Sequence, residues 1–134
     1  MAHPSAAKGK KYERDILAYA RNRGTDIERL RDTGVHDEGD FAIRTGQLTF
    51  VLEAKAEKRM NFSGYLTEAE REAAVYSANR GGRPTIPAAL VKRHGYGIGR
   101  SYVVMELDTF LDLTEHVEML HTGGIALAST RSTP

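Results

Sequence analysis

Two acidic residues and a lysine form the pattern in this sequence most suited to chemistry. Asp40 follows Gly39, and the segment Phe50-Val-Leu-Glu53-Ala-Lys55 comes after a Thr-Gly-Gln turn. Because side chains alternate between the two faces of a strand, Glu53 and Lys55 point to the same side. If the strands on either side of the turn pair with each other, Asp40 and Glu53 come close together.

Paired carboxylates beside a lysine suit metal-assisted hydrolysis. Two carboxylates this close repel each other unless a cation lies between them. Mg²⁺ is the expected cation, since it is a hard ion held by one or two carboxylates plus waters, and Mn²⁺ is expected to substitute for it. Lys55 would position or activate the attacking water, or stabilise charge developing on a phosphate.

The simpler interpretation is that Glu53 and Lys55 are ordinary solvent-facing residues at a strand end. Two observations favour the functional interpretation. An aspartate stands at hairpin distance, and the Phe-Val-Leu run before Glu53 is apolar enough to be buried on both faces. Charged residues at the end of such a strand usually have a function.

The elements that position these residues are predicted from apolar spacing and from Gly and Pro signals. The predicted helices cover residues 10–23 and 67–79 and begin again at Asp108. The predicted strands cover residues 27–31, 40–44, 48–54, 88–93 and 101–107. Thr67 and Glu70 form a capping box that would open the second helix. This order predicts an α/β fold with a mixed central sheet flanked by helices.

Length and composition limit the class of protein. A chain of 134 residues is expected to form a single domain, with a core over about residues 8–115 and flexible segments at 1–7 and 122–134. The absence of Cys excludes disulfides and thiolate metal sites. No apolar run reaches the ~18 residues of a membrane span, and a signal-peptide core is lacking, so a soluble cytoplasmic protein without membrane partners is expected.

Charge is segregated along the chain although the formal net charge is only +1. Residues 73–105 contain no Asp or Glu, and residues 101–130 contain no Lys or Arg. Basic positions predicted to contact the phosphates of DNA are Lys8, Lys10, Lys11, Arg29, Arg31, His36, Arg80, Arg83, Lys92 and Arg93. The alternative is that the basic and acidic blocks face each other, or that their charges are simply exposed to solvent on loops. Tyr65, Tyr76, Tyr96 and Tyr102 could stack on bases, although packing is expected for Tyr76 and Tyr102.

The sequence resembles the PD-(D/E)XK nuclease superfamily, and within it the archaeal-type Holliday junction resolvases and their phage relatives. The resemblance rests on Lys8-Gly-x-x-x-Glu13, Gly39-Asp40 and Glu53-Ala-Lys55 occurring in that order over about residues 8–115. It implies a restriction-endonuclease-like core with the order αβββαβ. It also implies that Glu13 helps hold the metal, Asp40 is the central ligand, Glu53 is the second carboxylate and Lys55 is the catalytic lysine.

The sequence departs from that family at several positions. Gly39 stands where a proline often precedes the aspartate. The helix after the lysine has no Gln, so Glu68, Glu70 or Arg71 would have to substitute. Thr33 and His36 are candidates for the Ser or Thr of the loop before the aspartate. Asp37 and Glu38 are weaker candidate ligands than Asp40, because a strand places a ligand more rigidly than a loop.

The function implied by the resemblance is Mg²⁺-dependent hydrolysis of phosphodiester bonds in branched DNA, in recombination and repair within a bacterial or phage-infected cell. A four-way junction cut symmetrically would require a homodimer, for which Val103, Val104, Phe110 and Leu111 are candidate surface residues. One alternative is a flap, single-strand or exonuclease of the same superfamily. Another is a non-enzymatic nucleic-acid-binding protein in which Asp40 and Glu53 are structural.

Overall fold

The computed structural model describes residues 4–30 and 38–122. The described residues up to Val104 form one compact unit, and those from Met105 to Thr122 belong to a second. None of the described helices is both long and apolar enough to cross a membrane. Predictions for Arg31, Thr33, His36 and Asp37, and for the ends of the chain at 1–3 and 123–134, lie outside the described residues.

The first unit is built on one mixed sheet of five strands. They are β1 (Ile27–Arg29), β2 (Phe41–Arg44), β3 (Thr49–Lys55), β4 (Ile86–Val91) and β5 (Tyr102–Val104). The order in the sheet is β1-β2-β3-β4-β5, so every strand lies beside its neighbour in sequence. Only β3 and β4 are parallel, because a helix crosses over between them, and the other pairs are antiparallel.

The helices are α1 (Pro4–Asn22), α2 (Phe62–Asn79) and α3 (Leu107–Thr122), with a 3₁₀ turn at Ile98–Arg100. In the first unit, α1 contacts β1, β3 and the 3₁₀ turn, whereas α2 contacts β3 and β4. The predicted α/β class, with a mixed sheet flanked by helices, is confirmed.

The core under α2 fixes the face on which the candidate site lies. Ala73 and Tyr76 of α2 are buried with Ala42 of β2 and Val51 of β3. Since side chains alternate along a strand, Glu53 lies on the same face of β3 as Val51. The helix that covers the apolar core therefore also covers Glu53.

The opposite face of the sheet is equally closed. Phe41 is fully buried and Leu52 is 4% exposed, and the α1 residues Tyr12 and Ile16 are buried as well. The Tyr12 hydroxyl donates to Ser101 Oγ at 2.9 Å, and burial raises the pKa of Tyr12. Tyr12 thus fixes the position of α1, the helix that also carries Glu13.

Several element boundaries differ from the predicted ones. The helix α1 begins at Pro4, so residues 4–7 are helical rather than a flexible end. The helix α2 begins at Phe62, because Asn61 Oδ1 accepts the Gly64 N–H at 3.0 Å and caps it. The predicted capping box is wrong, since Thr67 lies inside α2 and its hydroxyl donates to Ser63 O.

The strand β4 also starts earlier than predicted and contains Pro87, which was expected to lie before it. Pro87 aligns with Val51 of β3, but β5 pairs only with Ala89–Val91. A proline is tolerated there because one side of the strand has no partner. The strand β5 is correspondingly short, and Asp108 lies in the first turn of α3 rather than before it.

Candidate metal centre

Asp40 and Glu53 are neighbours across the β2–β3 ladder, as the turn symmetry predicts. The Asp40 N–H donates to Leu52 O at 2.9 Å, and Asp40 Oδ2 accepts the Ala54 N–H at 2.8 Å. The Asp40 carboxylate is therefore anchored to β3 directly beside Glu53. Continuing the register from the pair Phe41 and Leu52 sets Asp40 opposite Glu53.

Gly39 explains why the residue before Asp40 is not a proline. Its φ of 97° lies in the left-handed region, whereas a proline ring fixes φ near −65°. A Cβ at this position would also lie 3.2 Å from Val51 Cγ1 and 3.3 Å from Leu52 O. Glycine is required here to bring the chain against β3 and deliver Asp40.

Three glutamates meet under α2. Oxygen atoms of Glu53, Glu68 and Glu72 all lie within 4.8 Å of one another, and this is the one such acidic group among the described residues. Glu68 and Glu72 are four apart on α2, which places both on one helix face. Glu72 is 2% exposed and Glu53 is 8% exposed, so both carboxyls are removed from solvent.

Glu53 is buried among other carboxyl groups. Burial is the largest cause that raises the pKa of Glu53 to about 9, and the hydrogen bond and charge of Glu72 and the charge of Glu68 contribute to that value, while the charge of Lys55 opposes the shift. Glu53 Oε2 is buried and accepts no hydrogen bond from a described donor. A hydrogen bond between the Glu53 and Glu72 carboxyl groups requires that one of them carry a proton. A divalent cation between the two groups could replace that proton.

Lys55 is held by the same group. Its Nζ lies 2.7 Å from Glu68 Oε2 and 3.6 Å from Glu53 Oε1. Burial alone lowers the pKa of Lys55, but the hydrogen bond and charge of Glu68, with those of Glu53 and Glu57, raise it overall. Lys55 is therefore an ammonium, which can donate to a water or a phosphate oxygen but cannot accept a proton.

Glu13 does not belong to this group. Its Oε1 accepts from Arg29 Nη2 at 3.3 Å, and its side chain is 19% exposed. Of the predicted site residues, Asp40 is hydrogen-bonded to β3 next to Glu53, and Lys55 lies 3.6 Å from Glu53. However, Asp40 is not one of the three clustered acids, and Glu13 forms an ion pair with Arg29.

The predicted DNA-binding residues are distributed over separate surfaces. Lys8 and Lys92 line a groove of about 800 Å³ that includes Lys55 and also Lys58 and Arg59. Arg80 and Arg83 line a second groove, of about 880 Å³, with Arg44 beside the β2–β3 turn. Of the remaining described positions, Lys10 is exposed and Lys11 pairs with Asp15 at 2.7 Å.

Sequence reasoning missed Glu72, Lys58 and Arg59. Glu72 lies four residues after Glu68, so helix spacing puts both on one face, but the spacing does not show that this face packs on the sheet. Lys58 and Arg59 belong to the short connection after β3, and a loop charge has no periodicity that would indicate a site.

No family model matches the chain, and no curated protein matches it. Among solved structures, the chain is similar to Hjc, a Holliday junction resolvase from the archaeal hyperthermophile Archaeoglobus fulgidus. The TM-score is 0.47 and the sequence identity is 14%, covering 75% of this chain and 90% of that one.

Proposed function

We propose that this chain is a metal-dependent nuclease that hydrolyses phosphodiester bonds in DNA. The observation that carries the proposal is the buried Glu53 carboxyl, which has an oxygen without a donor, beside Asp40 and the charged Lys55. If these acids were only structural, we would expect each buried carboxylate to be paired with a cation. The Glu53 carboxyl, with its raised pKa, is instead favoured in its protonated form.

The donor set fits a hard divalent cation. All available ligands are carboxylate oxygens, which suit Mg²⁺ or Mn²⁺ better than softer metals. Asp40 and Glu53 would hold the ion, and Glu72 would close the site from α2. The family resemblance implies that Glu13 also helps to hold it. A bound cation would supply Lewis acidity at the phosphate and acidify a coordinated water.

The remaining residues position the substrate. The Lys55 ammonium, fixed by Glu68 at 2.7 Å, donates to a non-bridging phosphate oxygen and stabilises charge there. The basic groove, defined by Lys8, Lys58, Arg59 and Lys92 next to Lys55, holds the neighbouring phosphates of the cleaved strand. Its position at the carboxyl ends of the parallel strands β3 and β4 is where α/β sheets commonly bind ligands.

The substrate proposed from the family resemblance is branched DNA, most specifically a four-way junction cut during recombination and repair. Paired cuts require two sites and hence a homodimer. Val103 of β5 is 59% exposed, and Phe110 and Leu111 of α3 are 50% and 45% exposed, so each is available for an apolar subunit contact. Val104 instead packs against the core.

A second candidate is a nuclease for flaps or single strands. The observation that favours it is the exposure of Tyr96 and Tyr102, at 50% and 39%, because exposed rings can stack on unpaired bases. The expectation that Tyr102 packs in the core is wrong, since β5 is a three-residue edge strand. Tyr76 is buried as expected.

The proposal is tested with a labelled four-way junction, a flap, a linear duplex and a single strand, each with and without Mg²⁺. We expect Mg²⁺-dependent cutting that Asp40→Asn and Lys55→Ala abolish while DNA binding persists. Glu28→Gln, which changes an exposed glutamate, is the matched control. Wild-type cutting by either site variant would refute the site assignment, and symmetric nicks in the junction alone would identify a resolvase.

A further inference from the structure

A continuous row of aromatic rings and guanidinium groups lies at the β4–β5 end of the first unit. We call it the aromatic–arginine row, and its members are Phe62, Tyr102, Arg93, Tyr96 and Arg100. The guanidinium of Arg93 lies 3.7 Å from the centroid of Tyr96 and 5.6 Å from that of Tyr102. Arg100 lies 5.5 Å from Tyr96, and Phe62 meets Tyr102 edge-on with centroids 6.1 Å apart.

The rings of this row are largely exposed. Tyr96 is 50% exposed, Phe62 43% and Tyr102 39%, so the contacts within the row do not bury them. No ion pair joins Arg93 or Arg100 to an acid in the described part of the chain, so their charge remains available. Clustered rings facing water usually mark a binding surface.

The row lies beside the basic groove in the fold. Arg93 stands between Lys92 and His94, which both line that groove, and the Lys92 N–H donates to Lys55 O at 2.9 Å. Val91, the last residue of β4, aligns with Tyr102 of β5. Lys55, which lines the groove, aligns in turn with Val91, so Lys55 and Tyr102 lie in line across three neighbouring strands.

A groove of cations beside exposed aromatic and guanidinium planes matches the requirements of an unpaired nucleic-acid strand. The cations follow the phosphates, while the rings and guanidinium planes stack on base faces. In a duplex each base face is covered by its neighbours, so the rings would have nothing to stack on.

We infer that the aromatic–arginine row stacks on the unpaired bases of a DNA strand whose phosphates lie in the basic groove. The inference rests on the proposed nuclease function and narrows its substrate to DNA with unpaired nucleotides next to the cleaved bond. A flap, a fork and the open centre of a junction all satisfy this condition, whereas a continuous duplex does not.

The test measures binding in EDTA, where no cleavage occurs, by fluorescence anisotropy. The probes are a labelled oligothymidylate and an abasic strand of equal length, which has the phosphates but no bases. We expect Tyr96→Leu to weaken oligothymidylate binding about tenfold and to leave abasic binding unchanged. Arg93→Lys keeps the charge but removes the plane, and we expect a smaller loss in the same direction.

Tyr19→Leu is the matched control, because Tyr19 is a 42% exposed tyrosine beside the guanidinium of Arg23 but is not a member of the row. We expect it to bind both probes as the wild type does. Circular dichroism checks the fold of every variant, and Tyr102→Leu replaces Tyr96→Leu if the latter unfolds.

Two results would overturn the inference. Equal losses on the two probes would mean that the row acts through charge or fold, and no loss on oligothymidylate would mean that its rings do not stack. Asp40→Asn separates this failure from that of the proposed function. Asp40→Asn should bind oligothymidylate like the wild type but should not cut DNA. If the inference about the row is wrong and the proposed function is right, Tyr96→Leu should bind oligothymidylate and cut the preferred substrate like the wild type.

Discussion

Glu38 and Glu53 have the same burial and opposite electrostatics. Each is 8% exposed. Glu38 Oε2 accepts from Arg80 Nη1 at 2.6 Å and from Asn79 Nδ2 at 2.8 Å, and these partners lower the pKa of Glu38. Glu53 has an oxygen with no described donor, and burial raises its pKa to about 9.

The difference lies in how the cations are shared. Arg80 offers a planar fork to Glu38 and stacks on the Tyr76 ring at 3.7 Å, so the pair is both satisfied and supported. Lys55 is a point charge shared between Glu53 and Glu68. A buried acid is therefore not by itself a functional site, whereas a buried acid that still requires a cation is a strong candidate.

The largest expected contrast is in cleavage. Glu53→Gln should reduce the Mg²⁺-dependent rate about a thousand-fold, because loss of a metal ligand removes several kcal/mol of transition-state stabilisation. Glu38→Gln should leave the rate unchanged once its folded fraction is taken into account. Single-turnover cutting of the preferred DNA measures both, and equal losses would show that the two glutamates do not differ in function.

Stabilisation by Mg²⁺ should separate the two sites next. At about a hundred times its dissociation constant, a bound ion raises the free energy of unfolding by about 2.7 kcal/mol. We expect the shift in melting temperature to persist in Glu38→Gln and to vanish in Glu53→Gln. A shift of equal size in Glu53→Gln would place the ion elsewhere.

In metal-free protein, substitution of Glu38 should destabilise the fold more than substitution at the metal centre, because Glu38 is paired with Arg80. Glu38→Gln should lower the free energy of unfolding by about 1–2 kcal/mol, since a charged hydrogen bond is lost but Arg80, 40% exposed, can be hydrated. Glu72→Gln should raise it, because one of two adjacent buried carboxyls is removed. Urea denaturation in EDTA measures both changes, and Glu28→Gln serves as an exposed control.

The smallest effect is the change in stability over a single pH unit, at most about 1.4 kcal/mol for one proton. The folded pKa of Glu53 is raised from 4.5 to about 9, so its contribution is complete below 4.5 and is lost as pH rises toward 9. The lowered pKa of Glu38 gives the opposite sign, with stability lost as pH falls. Urea titrations in EDTA should show Glu53→Gln flattening only the decline between about pH 4.5 and 9, and Glu38→Gln flattening only the decline at acid pH.

The pairing of Asp40 with Glu53 could be predicted because it depends on local geometry. Strand alternation and a central turn at Gly46 are enough to place two residues on facing positions of a hairpin. The position of Glu72 depends on which face of α2 packs over β3, and that is decided by tertiary contacts of Ala73 and Tyr76. Spacing within the helix cannot supply that information.

The boundary errors have a similar origin. The second helix was predicted to begin after Gly64 and the fourth strand after Pro87, yet both residues lie inside these elements. Gly64 is required because a Cβ there would collide with the capping side chain of Asn61. Pro87 is tolerated because β5 is too short to reach it. In each case a contact formed in the folded structure decides where the element begins, and it overrides the usual tendency of Gly and Pro to end helices and strands.

The hydrogen bond between Tyr12 and Ser101 has a consequence for biosynthesis. It joins residues 89 positions apart, so α1 is translated well before the 3₁₀ turn against which it docks. The other main contacts of α1, with β1 and β3, need only the first 55 residues of the chain. During elongation at about 5–20 residues per second, the Tyr12–Ser101 contact therefore becomes possible several seconds after those contacts, and the 3₁₀ turn is the last of these partners that α1 can acquire.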